Sequence, residues 1–319
     1  MNTKPVDLSE LVERYISYRQ ALGERFVSSA FILRAFARSM GPQLTIRDVR
    51  ADQVSAFLAG AGSQTNTWHT KYVALRGFYN FATTRGHVDD IPLPDKVPKR
   101  GPSLVPYIYS HEELRRMLDT TRSYQRGVSS FTPMTFRTIL LLLYGAGLRA
   151  GEVIRLNLAD VEFDHSVLVI RWSKFHKSRL VPFGPQLRQA LTEYAGRRTP
   201  STPGPSDDAP FFTTRNGTRI VLNTLEDHFR RLREQANIRR SDGASYQPRL
   251  HDLRHTFAVH LLTSWYQQGK DVQRLVHQLS VYLGHAHLQD TQVYLSMTPD
   301  LLREANTRFE RYAQLGGQP

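Results

Sequence analysis

Apolar residues in the first 85 positions recur at three- and four-residue steps and never sustain an alternation in twos, a pattern that predicts helices and no strand. Leu8, Leu11, Val12, Tyr15 and Ile16 form one such stripe, with Gly23 where the helix should stop. A second helix is predicted from about Thr67 to Thr84. There Trp68, Tyr72, Leu75, Phe78, Tyr79 and Ala82 share a face, and Gly86 supplies the stop. Aromatics at this spacing belong to a core, so they receive no base-stacking role.

The pattern breaks in residues 89–106, DDIPLPDKVPKRGPSLVP, where five prolines accompany Lys96, Lys99 and Arg100. Proline stiffens an extended chain, so this segment is expected to be a linker with a basic middle, either solvated or lying along a polyanion. Beyond it, Ser110 followed three residues later by Glu113 opens a capping box for a helix expected to run through Leu118. Met134 to Tyr144 is almost wholly apolar and predicts a buried helix ended by Gly145 and Gly147. Val167–Trp172 and Leu180–Phe183 are β-rich runs joined by Ser173 to Arg179, a hairpin with a basic tip. After a Pro/Ser/Gly/Asp loop at Thr199–Pro210, helices are predicted at about Asn223–Ala236, His251–Gln268, Val272–Leu283, Gln289–Ser296 and Pro299–Leu315. The expectation is a mainly α protein with a small β-sheet (α+β), divided into a helical domain over 1–88, a linker over 89–106 and a second domain over 107–319.

Composition narrows the partners. Lys and Arg number 42 against 29 Asp and Glu, a formal net charge of +13 that favours a polyanion, nucleic acid ahead of an anionic membrane. No run approaches the roughly 20 apolar residues of a membrane span, and MNTKPVDLSELVERY lacks the apolar core of a signal peptide, so a soluble, cytoplasmic protein is expected. The chain has no cysteine, which excludes disulfides, thiolate zinc sites and a cysteine nucleophile.

Phosphoryl transfer to a side-chain oxygen needs cations on the non-bridging oxygens, a proton donor for the leaving oxygen and a positioned nucleophile. Arg149, in GAGLRAGEV, follows a glycine turn at the start of a helical stretch, where a guanidinium and helix N-terminal amides can hold a phosphate. Its plain alternative is a structural pair with Glu152. His251 and Arg254, in HDLRHTFAVH, lie three apart on one helix face and can converge on a single anion. His251 and His255 are four apart and also fit half of a metal motif, with His285 or His287 as a third ligand, although Asp252 stands where the zincin pattern has glutamate. Lys174, at the tip of SKFHKSR, is a mobile charge able to reach a leaving oxygen, with Lys177 as its rival. Tyr294 follows His285 by nine residues; a phenol of pKa about 10 needs activation to be a nucleophile.

These segments and their order resemble the tyrosine recombinase (phage-type integrase) family. GAGLRAGEV resembles its first arginine motif, SKFHKSRLVPF its catalytic β-hairpin, HDLRHTFA its HxxR motif and YLGHAHLQDTQVY its segment from LGH to the tyrosine; the likeness spans roughly 107–313. It implies a DNA-clamping core-binding domain in the helical N-terminal part and a catalytic domain after the linker. It further implies that Arg149 and Arg254 hold the scissile phosphate, His285 donates to a non-bridging oxygen, Lys174 protonates the 5′ oxygen, His251 assists the proton balance, Glu152 braces the site and Tyr294 forms a 3′-phosphotyrosyl link. No metal or other cofactor is implied. The implied partners are double-stranded DNA, further copies in a DNA-bound tetramer and possible partner recombinases or accessory proteins. One departure is the long segment LLTSWYQQGKDVQRLVHQLSVY, with a loop extension at Ser241–Gln247, which is closer to transposon-borne recombinases acting in sets than to the compact Xer type. The alternatives are a DNA-binding member of a recombinase set that does not cut, a type IB topoisomerase-like relaxase, and a His-ligated metal hydrolase.

Overall fold

The computed structural model of the chain describes residues 6–60, 66–99, 104–124, 130, 132–171, 178–200, 206, 208–244, 246–296, 302, 303, 306, 307 and 310. It divides into two compact units, Met1–Leu104 and Val105–Pro319.

The first unit is helical: α1 (Leu8–Ala21), α2 (Val27–Met40), α3 (Ala51–Ala59) and α4 (Asn66–Thr84). α1 starts where Asp7 Oδ1 accepts from the amides of Ser9 and Glu10, at 2.8 and 3.2 Å. All five apolar residues of its predicted stripe are buried. Trp68, Leu75, Phe78, Tyr79 and Ala82 of α4 join them in one core with Leu33 and Phe36 of α2 and Val54 and Leu58 of α3. The aromatics thus spend their area inside the unit, and Tyr72 is half-buried, stacked on Trp68. Val88 and Leu93 pack on the same core, so apolar contact with the helices continues beyond residue 88.

The second unit holds α5 (His111–Ser123), α6 (Pro133–Gly145), α7 (Ala150–Val153), strands β1 (Val161–Glu162), β2 (Val167–Ile170) and β3 (Arg179–Pro182), then α8 (Pro185–Arg197), α9 (Leu222–Gln235), α10 (Asp252–Gln267), α11 (Val272–Leu283) and α12 (Gln289–Gln292), followed by a 3-10 turn at Val293–Ser296. α6 is the central element. Its apolar residues Phe136, Ile139, Leu140, Leu142 and Leu143 are buried, and it packs against α5, α7, α8 and α10. The sheet is antiparallel in the order β1-β2-β3, with Leu168 opposite Val181, and it turns Leu168, Ile170 and Val181 into the core.

Four expectations change. α5 continues past Leu118 to Ser123, because Leu114, Met117 and Thr121 extend its inner face by another turn. The β-ladder ends at Ile170, while Trp172 and the hairpin tip with Lys174 and Lys177 lie outside the described residues. α8 is a helix that the apolar pattern does not announce; its signals are Pro185 at the first position and Leu187, Leu191 and Tyr194 on one face. β1 is too short to leave a periodic trace. Of the predicted C-terminal helix, Leu302, Arg303, Asn306, Thr307 and Glu310 are helical, and Leu302 is half-exposed; Leu301, Ala305, Phe309 and Leu315 lie outside the described residues.

The Ser241–Gln247 extension has a structural use. Arg240 donates Nη2 to the Val105 carbonyl at 3.0 Å and lies over the Tyr246 ring, 4.6 Å from its centroid. Tyr246 donates its hydroxyl to the same carbonyl. The loop therefore fastens the first residue of the second unit.

The capping box of α5 forms as expected, the Glu113 amide donating to Ser110 Oγ at 3.1 Å and the Ser110 amide to Glu113 Oε2 at 2.8 Å. Replacing Ser110 by Ala is expected to cost about 1 kcal/mol, read as a lowered midpoint with an unchanged slope in urea unfolding.

Candidate active site

The local sequence that builds the site begins with a turn. Gly147 has φ +60°, and a Cβ there would come within 2.4 Å of the Phe257 ring, so only glycine lets the end of α6 fold back against α10. Two residues later the chain enters α7 with Arg149 at the cap position and Glu152 at its third residue. Glu152 Oε2 accepts from the Arg149 amide, and Oε1 accepts from its Nη1, both at 2.9 Å.

Glu152 is buried, and a second cation meets it from the sheet. Arg179 on β3 donates Nη1 to Oε1 and Nη2 to Oε2, each at 2.9 Å, a parallel fork that only a guanidinium can make. Arg254, in the first turn of α10 and 1% exposed, brings Nη1 to 4.0 Å from Oε2. One carboxylate thus gathers three arginines. Burial raises the pKa of Glu152, but hydrogen bonds and charge from Arg179, then Arg149, outweigh it and hold the group at about 2.

The same three arginines cap one helix end. Arg179 Nε donates to the Tyr282 carbonyl at 2.8 Å, Arg254 Nη2 to the Leu283 carbonyl at 2.6 Å and Arg149 Nη2 to the Gly284 carbonyl at 3.1 Å. Terminal carbonyls of a helix lack intrahelical partners and carry its negative pole, so three successive orphans of α11 are satisfied by three cations. Gly284 makes the fit possible: it has φ +67°, and a Cβ would press on Arg179 at 2.9 Å. Arg254 also donates Nη1 to the Gly147 carbonyl at 2.8 Å. Its burial, and then Arg149, lower its pKa to about 10, which leaves it charged at neutral pH.

Immediately past Gly284 the chain delivers the remaining groups. His285 is half-buried and holds Thr291 Oγ1 with Nδ1 at 2.6 Å. Tyr294, 2% exposed, packs with Ala258, Val259 and Leu262 of α10 and Leu283 of α11. Its ring lies 6.1 Å from that of His285. Burial raises the phenol's pKa, opposed by the Arg254 and Arg149 charges. His251 precedes α10 and is exposed to solvent. Its ring stands edge-on to His255, with centroids 4.7 Å apart. Protein packed around these imidazoles, and then nearby positive charge, lower His251 and His285 to about 4, so both are neutral at pH 7. Beside His251 opens a cavity of about 730 Å³ whose wall includes Arg230, Arg233 and Arg249, with Glu226 and Asp227 among them.

The structure therefore brings Arg149, Glu152, Arg254, His285 and Tyr294 together, with His251 at the open edge, while Lys174 lies outside the described residues. Arg149 does pair with Glu152, yet that pair is one side of a larger cluster. Two residues were not among the sequence candidates, and a third was a candidate for another role. Arg179 sits inside SKFHKSRLVPF, where nothing local separates it from the surrounding basic residues. Thr291 orients His285. His255, weighed only as a metal ligand, instead faces the Tyr294 hydroxyl with Nδ1 at 3.1 Å. Among the described residues no three His, Asp or Glu side chains converge as a metal-binding group, and no described helix is long and apolar enough to cross a membrane.

Comparison with known proteins places this geometry. Residues 108–300 match the phage integrase family. The Sinorhizobium fredii protein y4rE, named an integrase/recombinase, is 36% identical over 94% of this chain and 95% of its own length. The tyrosine recombinase XerC of Neisseria gonorrhoeae is 32% identical over 92% of this chain and 90% of its own. In fold, the integrase of the Tn1549 transposon, solved with transposon right-end DNA, superposes with a TM-score of 0.68 at 16% identity over 97% of this chain and 100% of that one. With residues 108–300 matching the family and relatives aligned almost end to end, the chain belongs to the phage integrase family and is a tyrosine-type site-specific DNA recombinase.

Proposed function

We propose that the chain binds double-stranded DNA and cuts it by attack of Tyr294 on a phosphodiester held between Arg149 and Arg254. The observation that carries this reading is the set of three guanidiniums drawn around one buried carboxylate beside a buried tyrosine. One carboxylate does not neutralise three guanidiniums, and the surplus is aimed where a phosphate monoanion completes it. With Nδ1 of His285 engaged by Thr291, Nε2 is the nitrogen left to donate to a non-bridging oxygen. Glu152 braces the arginines, and His251 at the open edge assists the proton balance.

In the cleavage step the Tyr294 oxygen bonds to phosphorus as the bond to the 5′ oxygen breaks. The phenolic proton leaves to a base, and the 5′ oxygen takes a proton from Lys174, a role that rests on its place in the hairpin motif. The product is a 3′-phosphotyrosine. Attack by a 5′ hydroxyl of another strand reverses each transfer and needs neither nucleotide nor metal. The helical unit would clamp the duplex. Two duplexes present four strands and each chain supplies one tyrosine, so four copies assemble at the synapse, linked through the segment after Tyr294. The Tn1549 structure with transposon DNA supports action on the ends of a mobile element, in the bacterial cytoplasm where the chromosome lies, with partner recombinases or accessory proteins where a site requires them.

Three outcomes are expected. A nicked suicide substrate traps a covalent protein–DNA adduct; Tyr294→Phe abolishes it and leaves half-site binding intact, whereas a normal adduct yield would move the nucleophile to Tyr282. Lys174→Ala cleaves poorly but recovers when sulfur replaces the bridging 5′ oxygen, because a thiolate departs without a proton; recovery of Lys177→Ala instead would move the acid by three residues. Glu152→Gln lowers stability by about 3 kcal/mol at neutral pH, since it strands buried cations. Glu152 titrates at about 2 when folded against an ordinary 4.5, so its contribution is full above the higher value and drains as pH falls toward the lower. Urea unfolding of the two proteins should therefore converge as the pH is lowered through that window.

A further inference from the structure

The Tyr294 hydroxyl must lose a proton as it attacks, and its surroundings limit where that proton can go. The ring is 2% exposed, so bulk water does not serve it. Arg149 and Arg254 are donors only. Glu152 has both of its oxygens engaged by Arg149 and Arg179. His285 turns Nδ1 to Thr291. His251 stands one ring further out, edge-on to His255. The hydroxyl also has Arg254 beside it as a donor, and the acceptor that meets it is Nδ1 of His255, at 3.1 Å, with the two rings 5.5 Å apart at 60°.

We infer that His255 is the proton acceptor for the Tyr294 hydroxyl during strand cleavage. The inference rests on Tyr294 being the nucleophile. His255 lies one turn after His251 on α10, so the helix that carries the phosphate-binding Arg254 also carries the base, and the 3-10 turn of Tyr294 packs against that helix. In the tautomer protonated at Nε2, Nδ1 accepts from the phenol. As the oxygen–phosphorus bond forms, the O–H bond breaks, Nδ1 gains the proton and the imidazole becomes a cation; the proton returns when a 5′ hydroxyl displaces the tyrosine.

The groups facing His255 also time this step. Burial first, then His251, Arg249, Arg254 and His285, hold its pKa at about 3, so without DNA the imidazole is neutral and a weak base. A phosphate seated between Arg149 and Arg254 offsets the arginine charges and makes the imidazolium cheaper to form. Basicity at Nδ1 is then supplied by the substrate, and Tyr294 stays protonated until a phosphate is present.

The test compares single-turnover adduct formation on the nicked substrate for wild type, His255→Ala and His255→Asn, with Tyr294→Phe as control. Asparagine can still accept a hydrogen bond but cannot carry the proton, so both His255 variants should slow adduct formation by about 100-fold, the lower range for a lost general base, with half-site binding within about twofold. A fluorinated tyrosine incorporated at 294, whose phenol ionises more readily, should recover at least about tenfold of the rate in His255→Asn and change wild type little. Cleavage by His255→Asn at the wild-type rate, or a slow His255→Asn that the fluorinated tyrosine does not recover, would overturn the role of His255 while leaving Tyr294 in place. An adduct surviving in Tyr294→Phe would overturn the nucleophile itself.

Discussion

The buried carboxylate of Glu152 is the constraint on which the catalytic unit depends. Removing one charge from water is costly, and bringing three like-charged guanidiniums within a few ångströms of one another is costlier still, unless hydrogen bonds answer every one of them. Here Arg149 and Arg179 are answered by the two oxygens of Glu152 and by the carbonyls of Gly284 and Tyr282, and Arg254 by the carbonyls of Leu283 and Gly147. The arrangement joins parts remote in sequence, the turn after α6, strand β3, the start of α10 and the end of α11. It also leaves a net positive charge in a place with little water, where each charge acts more strongly than at the surface. Electrostatic catalysis of this kind works because the dipoles and cations are already fixed when the anion arrives.

The neutral imidazoles follow from the same excess. His251, His255 and His285 are all pushed well below the ordinary histidine range by the protein packed around them and by neighbouring cations. A neutral ring can accept or donate, whereas an imidazolium only donates, so the cationic cluster keeps the site's proton-handling groups in their versatile form. Tyr294 is restrained by a related effect, since burial raises the phenol's pKa.

Much of this could be read along the chain where the signal is local. The stripe of α1 and all of that of α4 but the half-buried Tyr72 mark residues that are indeed buried, the Ser110 and Glu113 box caps α5, and the apolar run of Met134 to Tyr144 is the buried α6. Motif order was enough to single out Arg149, Glu152, Arg254, His285 and Tyr294. What escaped is what only tertiary contact decides. Arg179 looks like one more basic residue of a hairpin until β3 lies beside α11. His255 pairs as readily with His251 in a metal motif as with a tyrosine 39 positions away. Thr291 has no local pattern at all. β1, a pair of residues, is created by its partner strand and not by its own sequence.

The carbonyls of residues 282–284 also have a consequence in time. Ribosomes add about 5–20 residues per second, so the 145 positions between Arg149 and Tyr294 take roughly 7 to 30 s to appear. From residue 179 until residues 282–284 are made, a nascent chain displays Arg149, Glu152 and Arg179 but lacks the helix end whose carbonyls bind those arginines. A chain that stops before residue 282 lacks all three carbonyls on which the arginines converge. The cluster is thus completed only late in synthesis, once parts distant in sequence are all present.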